Sequence, residues 1–269
     1  MSRFRSLYES HLKPLSTRIG VHEYFRDVYW SAKLYRNQTV SQTIGDTTVL
    51  FGVNNRSEFL RFRDLGGERT VIEDLLSEVK RDDVVFDIGA NVGTYTCFVA
   101  KQISAAHVVA FEPHPANLKG LRSNLRRNDS DAVIVKKALA DSGGVAELEV
   151  VSSKIGEGKH SLATDNGSET IEVEMRTGDE LVEAEAIPQP SIVKVDVEGA
   201  EGRVLEGLED SLSRPACRLC YVEVHASRLP DYGDTEVGIV STLEDCGFEV
   251  SEIYIGGVNS TSKVKSDGE

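Results

Sequence analysis

A glycine-rich turn between two acidic residues is the part of the sequence best suited to binding a small ligand. Asp87 follows an apolar run, and Gly89 and Gly93 come shortly after it. Glycine allows a sharp turn and a close approach to a ligand, which a Cβ atom would prevent. Glu112 ends the next apolar run. In a doubly wound fold a carboxylate at this point binds ribose hydroxyls, so we expect Asp87 and Glu112 to hold a nucleoside-like cofactor.

The turn lacks the signatures of phosphate-binding loops. Residue 91 is Asn, so the dinucleotide pattern G-x-G-x-x-G is absent, and no P-loop pattern G-x-x-x-x-G-K-[ST] occurs in the sequence. Two acids around a glycine turn favour S-adenosylmethionine, which carries an amino acid and a ribose but no phosphate. The alternative is structural: Asp87 caps a helix, and Glu112 is a surface acid.

A second group of chemically active residues follows two later apolar runs. Lys194, Asp196 and Glu198 are spaced by two and therefore share one face of a strand and its exit. Glu223 and His225 share a face in the same way. Ligands of open parallel sheets bind beyond the carboxyl ends of the strands, where strand order reverses. We therefore expect this group and the glycine turn to meet in one crevice.

The second group suits proton transfer. His225 is a candidate base because the unperturbed pKa of histidine, about 6.5, lies near neutral pH; alternatively it is a satisfied histidine at a strand end. Asp196 is either the base or the group that orients a cofactor amine, since an unpaired buried carboxylate is costly. Lys194 neutralises a nearby acid or acts in catalysis, and Glu198 binds substrate or a divalent ion. The group offers ligand atoms for Mg²⁺, but sequence does not define their geometry and we predict no metal site.

Alternating strand and helix patterns are predicted to position both groups. The predicted strands are residues 84–86, 107–111, 132–135, 191–195, 219–224 and 248–255, and the predicted helices are residues 68–80, 94–100, 116–127 and 201–208. This alternation predicts an α/β fold with a doubly wound, mostly parallel sheet and an antiparallel last strand.

An insertion interrupts this alternation. Residues 145–151 and 170–175 alternate like an antiparallel pair, which predicts a β-hairpin insertion. The loop between them, residues 152–169, is long enough that we expect it to act as a substrate lid.

Three parts of the chain are predicted from the same patterns. Residues 1–65 form an N-terminal extension of one or two helices and a hairpin at 40–53. Residues 66–258 form the catalytic domain, and residues 259–269 form a polar, frayed tail.

Composition limits the partners. The 269 residues carry a net charge of −14, which argues against a nucleic-acid partner because phosphate binding needs a basic face. The one feature that favours a nucleic-acid partner is a basic patch formed by Arg56, Arg61, Arg63 and Arg69. The alternative is that this patch holds an acidic sugar. No apolar run approaches the roughly 18 residues of a membrane span, and no signal peptide is evident, so we expect a cytoplasmic protein. The four cysteines are expected to be buried thiols, since Cys217 and Cys220 would point to opposite faces of a strand.

Four motifs taken together are more specific than any one of them. They are D-x-G-A-N-x-G at 87–93, F-E-P at 111–113, K-x-D-x-E-G-A-E at 194–201 with V-L-x-G at 204–207, and E-V-H at 223–225. Over residues 68–255 or so, the chain resembles the FkbM family of class I S-adenosylmethionine-dependent methyltransferases, which have a Rossmann-like fold. The resemblance implies methyl transfer to hydroxyl groups of sugars, glycolipids or polyketides. It implies a cofactor site of Asp87, Gly89, Asn91, Gly93 and Glu112, with the backbone near Ala138 and Leu139 facing the adenine.

Two segments depart from the family pattern and leave the acceptor open. T-G-D at 177–179 stands where T-L-D is usual, and K-H-S-L occurs at 159–162 in the predicted lid, where His160 is a candidate acceptor contact. We therefore predict an S-adenosylmethionine-dependent O-methyltransferase acting on a sugar, glycan or other small polyhydroxylated acceptor. Methylation of a carboxylate or amine remains an alternative, as does a non-catalytic cofactor-binding scaffold whose acids serve sheet packing. The oligomeric state is not defined by the sequence.

Overall fold

A computed structural model describes residues 38–149, 170–184, 186–253 and 260–266. Its strands are β1 (Thr39–Ile44), β2 (Thr47–Gly52), β3 (Val85–Ile88), β4 (Val108–Phe111), β5 (Val133–Val135), β6 (Ala138–Leu139), β7 (Gly144–Glu149), β8 (Thr170–Arg176), β9 (Ile192–Val195), β10 (Leu219–Val224), β11 (Phe248–Ile253) and β12 (Ser260–Ser266). Its helices are α1 (Arg56–Asp64), α2 (Arg69–Glu78), α3 (Thr94–Val99), α4 (Pro115–Arg127), α5 (Gly178–Glu183), α6 (Glu201–Glu206), α7 (Glu209–Leu212) and α8 (Glu236–Asp245).

The central sheet has seven strands in the order β11-β12-β10-β9-β3-β4-β5. The five strands from β10 to β5 in this order are parallel. The chain moves outward from β3 to β5 and then returns to place β9 on the other side of β3, so strand order reverses between β3 and β9. The predicted doubly wound fold is confirmed, and its crevice lies where the sequence placed it.

Apolar residues fill both faces of the central strands. Every residue of β3, β4 and β9 is buried, as expected for parallel strands covered on both sides. Successive residues enter opposite hydrophobic clusters: Val85 packs with one and Phe86 with the other. Asp87 and Lys194 are the charged exceptions within these strands, and both lie near the crevice end.

The prediction that the end of the chain is frayed is wrong for residues 260–266. Residues 260–266 form β12, which pairs antiparallel with β10 on one side and β11 on the other. Because two neighbours hydrogen-bond its backbone, this strand does not depend on an apolar sequence of its own. The antiparallel last strand is therefore present, but it is β12, and not the segment beginning at Phe248.

The N-terminal hairpin packs on the main domain. β1 and β2 form the predicted antiparallel pair, and their buried residues share a cluster with α3. The side chain of Asn128 accepts from the N–H of Leu50 and donates to its carbonyl, both at 2.8 Å. Asn124 accepts from the N–H of Gly52 at 2.9 Å and donates to the carbonyl of Val92 at 2.9 Å. Asn124 on α4 therefore connects the hairpin to the glycine turn, and Asn128, which follows the end of α4, holds the hairpin beside it.

The predicted hairpin insertion is confirmed as the pair β7 and β8, to which β6 adds a third strand. The predicted lid with His160 and the predicted N-terminal helices before residue 38 lie outside the described residues. Across the described ranges, no helix has the length and apolar character needed to cross a membrane.

Candidate functional site

A cavity opens at the carboxyl ends of β3, β4, β9 and β10. The space within it and at its open mouth amounts to about 980 Å³. The predicted site residues that line it are Gly89, Asn91, Glu112, Ala138, Leu139, Asp196, Glu198 and His225. Asp87, Gly93 and Lys194 lie behind its wall. Eight of the eleven residues predicted from motifs, strand spacing and the family resemblance therefore lie on one surface.

Glu112 is held in place by backbone donors at the end of β4. Its side chain is buried, and its two oxygens accept hydrogen bonds from the N–H groups of Asn91 at 2.8 Å and His114 at 2.7 Å. Burial raises the pKa of Glu112 to about 7 against the opposing effect of these hydrogen bonds. A carboxylate has about four lone pairs, so after a third hydrogen bond from the side chain of Asn117 the group can still accept from a ligand hydroxyl.

The two glycines of the turn are required by packing within the protein. Gly89 has φ +78°, and a Cβ there would lie 1.8 Å from the carbonyl oxygen of Asp196. Gly93 has φ +87°, and a Cβ there would lie 2.6 Å from a methyl carbon of Leu121. The first glycine lets β3 approach β9, and the second lets α3 approach α4. Ligand approach, the reason expected from sequence, applies to Gly89, which also lines the cavity.

Asp87 caps α3. Its Oδ2 accepts from the backbone N–H of Thr96 at 3.0 Å and from the hydroxyl of the same residue at 2.5 Å. Its Oδ1 lies 3.5 Å from the ammonium nitrogen of Lys194. This placement matches the alternative in which Asp87 caps a helix. The carboxylate lies behind the glycine turn and does not line the cavity.

Lys194 balances the charge of two carboxylates. Its nitrogen lies 3.3 Å from Asp196 Oδ2 as well as near Asp87, and 4.6 Å from the ring centre of Tyr95. Burial lowers the pKa of Lys194, but the surrounding carboxylates, led by Asp196, outweigh burial and raise it above its usual value. Lys194 therefore stays charged, and its placement fits the neutralising role better than the catalytic one.

His225 lies at the centre of an acidic cluster at the ends of β9 and β10. Its Nε2 is 3.8 Å from Asp196 Oδ1, 3.7 Å from Glu198 Oε2 and 3.9 Å from Glu223 Oε1. Its Nδ1 is 2.6 Å from Oε1 of Glu201, which also accepts the N–H of Gly199. Sequence spacing had aligned these strand residues, but it did not indicate that Glu201 contacts His225.

The surroundings of His225 change its expected chemistry. Burial lowers the pKa of His225, but the hydrogen bond with Glu201 and the charges of the nearby acids, Asp196 first, outweigh it and raise the pKa to about 9. The expectation of a pKa near 6.5 is therefore wrong for this protein in the absence of ligands. An imidazole that is already protonated at neutral pH does not accept a further proton, so any general base here is a carboxylate.

Glu198 has an unusual backbone conformation. Its φ is +55°, in the left-handed region, and Gly199 follows with φ +112°. The left-handed conformation costs a residue with a side chain about 1–2 kcal/mol, and such strain is found most often at functional sites. Here the sharp turn after β9 directs the chain into α6 while keeping Glu198 on the cavity wall.

Glu68 and Asn117 are among the cavity residues that the sequence did not indicate. Glu68 is half-buried at the start of α2, and burial, reinforced by Asp196, raises its pKa to about 7. Asn117 is buried, and its side chain hydrogen-bonds Glu112 and lowers the pKa of that carboxyl group. Asn117 follows Glu112 closely in the sequence and was within reach of prediction. Nothing near Glu68 in the sequence connects it to the site.

The basic patch considered from the sequence is divided by the structure. Arg61 lines the cavity, whereas Arg63 pairs with Asp64 at 2.8 Å and Arg69 pairs with Glu73 at 2.8 Å on the surface. One arginine of the patch therefore reaches the space in which a ligand would bind.

Comparisons with known proteins place the chain among methyltransferases. Residues 87–250 match a family model described as the methyltransferase FkbM domain. The hexuronic acid methyltransferase AglP of Haloferax volcanii is 39% identical over 176 residues, which are 65% of this chain and 70% of that protein. The 31-O-demethyl-FK506 methyltransferase FkbM of Streptomyces tacrolimicus is 28% identical over 201 residues, covering 64% of this chain and 75% of that protein. The solved structure of magnesium protoporphyrin IX methyltransferase (ChlM) from Synechocystis PCC 6803 with bound SAM has a TM-score of 0.50 at 13% identity, covering 80% of this chain and 86% of that chain, and shares the fold.

Proposed function

We propose that this chain, which belongs to the FkbM family of methyltransferases, transfers the methyl group of S-adenosylmethionine to a hydroxyl of a sugar or similar polyhydroxylated acceptor. The family match confirms the resemblance found in the motifs, while donor and acceptor are the proposal. The observation that carries it is a single cavity with Glu112 on one side and the acids around His225 on the other. A donor and an acceptor can be held side by side in such a space.

Residues on the β4 side suit the donor. The buried carboxylate of Glu112 can accept from a ribose hydroxyl, because one of its lone pairs remains after the hydrogen bonds from Asn91, His114 and Asn117. Ala138 and Leu139 give the cavity an apolar wall for the adenine. Gly89 and Asn91 bring main chain to the same space. The absence of a phosphate-binding signature in the turn favours this donor over a dinucleotide.

Residues on the β9 and β10 side suit the acceptor. Its hydroxyl oxygen attacks the methyl carbon, the new O–C bond forms as the C–S bond breaks, and the electron pair passes to sulfur. The sulfonium is already activated, so the protein has to align the reactants and remove the hydroxyl proton. His225 already holds a proton at neutral pH, so the hydroxyl proton of the acceptor passes to Asp196 or Glu198, both on the cavity wall.

A hexuronic acid is the first acceptor to test. AglP, a relative at 39% identity, is named as a hexuronic acid methyltransferase, and Arg61 offers a cation for a sugar carboxylate. The same relative favours one alternative, because a hexuronic acid offers both hydroxyl and carboxylate oxygens. The product would then be a methyl ester and not an ether.

The test supplies S-adenosylmethionine labelled in its methyl group together with p-nitrophenyl glucuronide or the matching glucoside. We expect label in the glucuronide, and a loss of turnover of about 100-fold or more in Asp196→Asn with nearly unchanged donor affinity. Label that resists mild alkali identifies a hydroxyl acceptor, and label released as methanol identifies the carboxylate. A folded protein that does not bind S-adenosylmethionine would refute the proposal; a protein that binds it but methylates no acceptor would favour the scaffold alternative.

A further inference from the structure

The side chains around Nε2 of His225 have the composition and spacing of a divalent-cation site. Asp196, Glu223 and His225 each offer one ligand atom, and these atoms all lie within 4.8 Å of one another. They come from the ends of two adjacent parallel strands whose backbones are hydrogen-bonded, so their positions are fixed relative to each other. Carboxylate and imidazole are common metal ligands in proteins.

The distances at Nε2 fit a shared ion better than direct hydrogen bonds. Nε2 is 3.8 Å from Asp196 Oδ1 and 3.9 Å from Glu223 Oε1, and hydrogen bonds to nitrogen are usually about 2.7–3.2 Å long. Two ligands bound to one ion at about 2.1 Å each lie up to about 4.2 Å apart. An ion beside Nε2 would span both of these gaps, and because the third pair, Asp196 and Glu223, lies within 4.8 Å, small side-chain rotations would complete the site while the strands stay in place.

The orientation of His225 is a second, independent indication. The residue is 7% exposed, and its Nε2 points into the acidic cluster while Nδ1 is held by Glu201 at 2.6 Å. Histidines that bind metals usually donate their other ring N–H to a carboxylate or carbonyl, which fixes the tautomer and the ring plane. Glu201 is fully buried, so this carboxylate serves the imidazole and the turn at Gly199, and it faces no solvent.

The charges of the cluster also favour a cation. Asp196, Glu198 and Glu223 all face the single imidazole of His225. Two cations offset part of this charge: Lys194 is shared between Asp196 and Asp87, and Nε of Arg228 lies 3.9 Å from Glu198 Oε2. A divalent ion offsets the mutual repulsion of carboxylates that converge on one point.

We propose that Asp196, Glu223 and His225 bind one divalent cation of the Mg²⁺ or Mn²⁺ class, with Glu201 as a positioning residue. The ion takes the place of the proton on Nε2 of His225, which is released on binding, while the N–H at Nδ1 stays with Glu201. The predominance of oxygen ligands and the absence of thiolates from the triad favour these ions over softer metals. Binding of the ion does not depend on the proposed reaction. Its role does: an acceptor hydroxyl on an open position of the ion would lose its proton more readily. That proton would pass to Glu198, as the oxygen forms its bond to the methyl carbon and the electron pair of the C–S bond passes to sulfur.

The experiment measures Mn²⁺ binding directly and without S-adenosylmethionine. Full-length protein is stripped with a chelator and titrated with Mn²⁺, and the free ion is followed by its electron paramagnetic resonance signal. We expect saturation at one ion per chain, and affinities at least tenfold weaker in Glu223→Gln and His225→Gln. Glu206→Gln is the matched control, because Glu206 is an exposed acid on α6 and should bind Mn²⁺ like the unaltered protein.

A second comparison tests the positioning role. Glu201→Gln should weaken Mn²⁺ binding about tenfold while the ligand side chains remain present, as is typical of residues that orient a ligating histidine. Its unfolding midpoint is recorded in parallel, so that a change in affinity without a change in stability separates positioning from packing. If one of these variants does not fold, Asp196→Asn is measured in its place, because Asp196 is only half-buried.

The inference is overturned if the folded, stripped protein binds no Mn²⁺, or if Glu223→Gln and His225→Gln bind it as tightly as Glu206→Gln does. Titration of the stripped protein with S-adenosylmethionine is a separate measurement. Mn²⁺ binding without binding of S-adenosylmethionine would support the metal site and refute the proposed function. Binding of S-adenosylmethionine without binding of Mn²⁺ would support the proposed function and refute the metal site.

Discussion

Affinity for S-adenosylmethionine should depend on pH through Glu112. The pKa of this buried carboxyl group is raised to about 7, so near neutral pH the free protein is divided between a neutral and a charged form. Ribose hydroxyls donate to the charged form, and hydrogen bonds to charged groups contribute about 1.5–3 kcal/mol. Binding should therefore tighten as pH rises through 7 and level off above it. Glu112→Gln removes the titrating group at nearly constant shape.

The magnitude follows from the fraction ionised. With a pKa of about 7, about nine-tenths of the Glu112 side chains are charged at pH 8 and about one-tenth at pH 6. If only the charged form binds the ribose well, the apparent Kd is the intrinsic value divided by that fraction. The Kd should then rise about tenfold from pH 8 to pH 6, which corresponds to about 1.4 kcal/mol.

Calorimetric titrations at pH 6, 7 and 8 on both proteins measure this dependence. The amino group of the ligand also titrates near this range, and subtracting the Glu112→Gln profile removes its contribution. Glu68→Gln is the control, because Glu68 also has a pKa of about 7 but lies on the other side of the cavity, and the tenfold dependence should persist in it. Identical pH profiles for the unaltered protein and Glu112→Gln would refute the assignment of Glu112 to the ribose.

The same carboxyl group has the opposite effect on the stability of the free protein. Its pKa is about 7 when folded and near 4.5 when unfolded, so its stabilising contribution is fully present below pH 4.5 and is lost as pH rises through 7. The difference between the two pKa values corresponds to a contribution on the order of 3 kcal/mol. Urea unfolding between pH 4.5 and 8 should therefore show a flatter pH profile for Glu112→Gln.

Three further predictions concern the acceptor wall and the packing. Arg61→Ala should raise KM for the glucuronide about tenfold and leave the glucoside unaffected, whereas Arg63→Ala, on the exposed side of the same helix, should change neither. Asn128→Ala should lower the free energy of unfolding by about 2 kcal/mol in urea titrations, because the N–H and carbonyl of Leu50 lose their partners; an unchanged midpoint would contradict this. Gly89→Ala should cost about 2–4 kcal/mol in the same assay, since both φ and the carbonyl of Asp196 oppose a Cβ; full stability would show that the turn relaxes.

The fold and the composition of the cavity were largely predictable because they depend on short-range patterns. Strand spacing placed Asp196, Glu198 and His225 at one edge, and the acid after β4 indicated Glu112. What these side chains do there depends on distant partners. The pKa of His225 is raised against the effect of burial by Glu201 and Asp196, which lie on other elements, and no pattern within β10 reveals those carboxylates.

The role of Asp87 shows the same limit. A carboxylate at the end of β3 is equally suited to a ligand and to a helix cap, and the choice is made by Thr96 and Lys194. β12 was missed for a different reason, because its place in the sheet is fixed by backbone pairing with β10 and β11 and leaves little trace in side-chain type.

The contact between Gly89 and the carbonyl of Asp196 joins the two halves of the cavity through main chain. The distance between the proposed donor and acceptor positions is therefore set by the sheet itself, and no flexible side chain adjusts it. New acceptors can then be accommodated by changing the cavity wall around Arg61, without altering the alignment of the reacting atoms. A library aimed at new acceptor sugars should vary that wall and keep the junction of β3 and β9 constant.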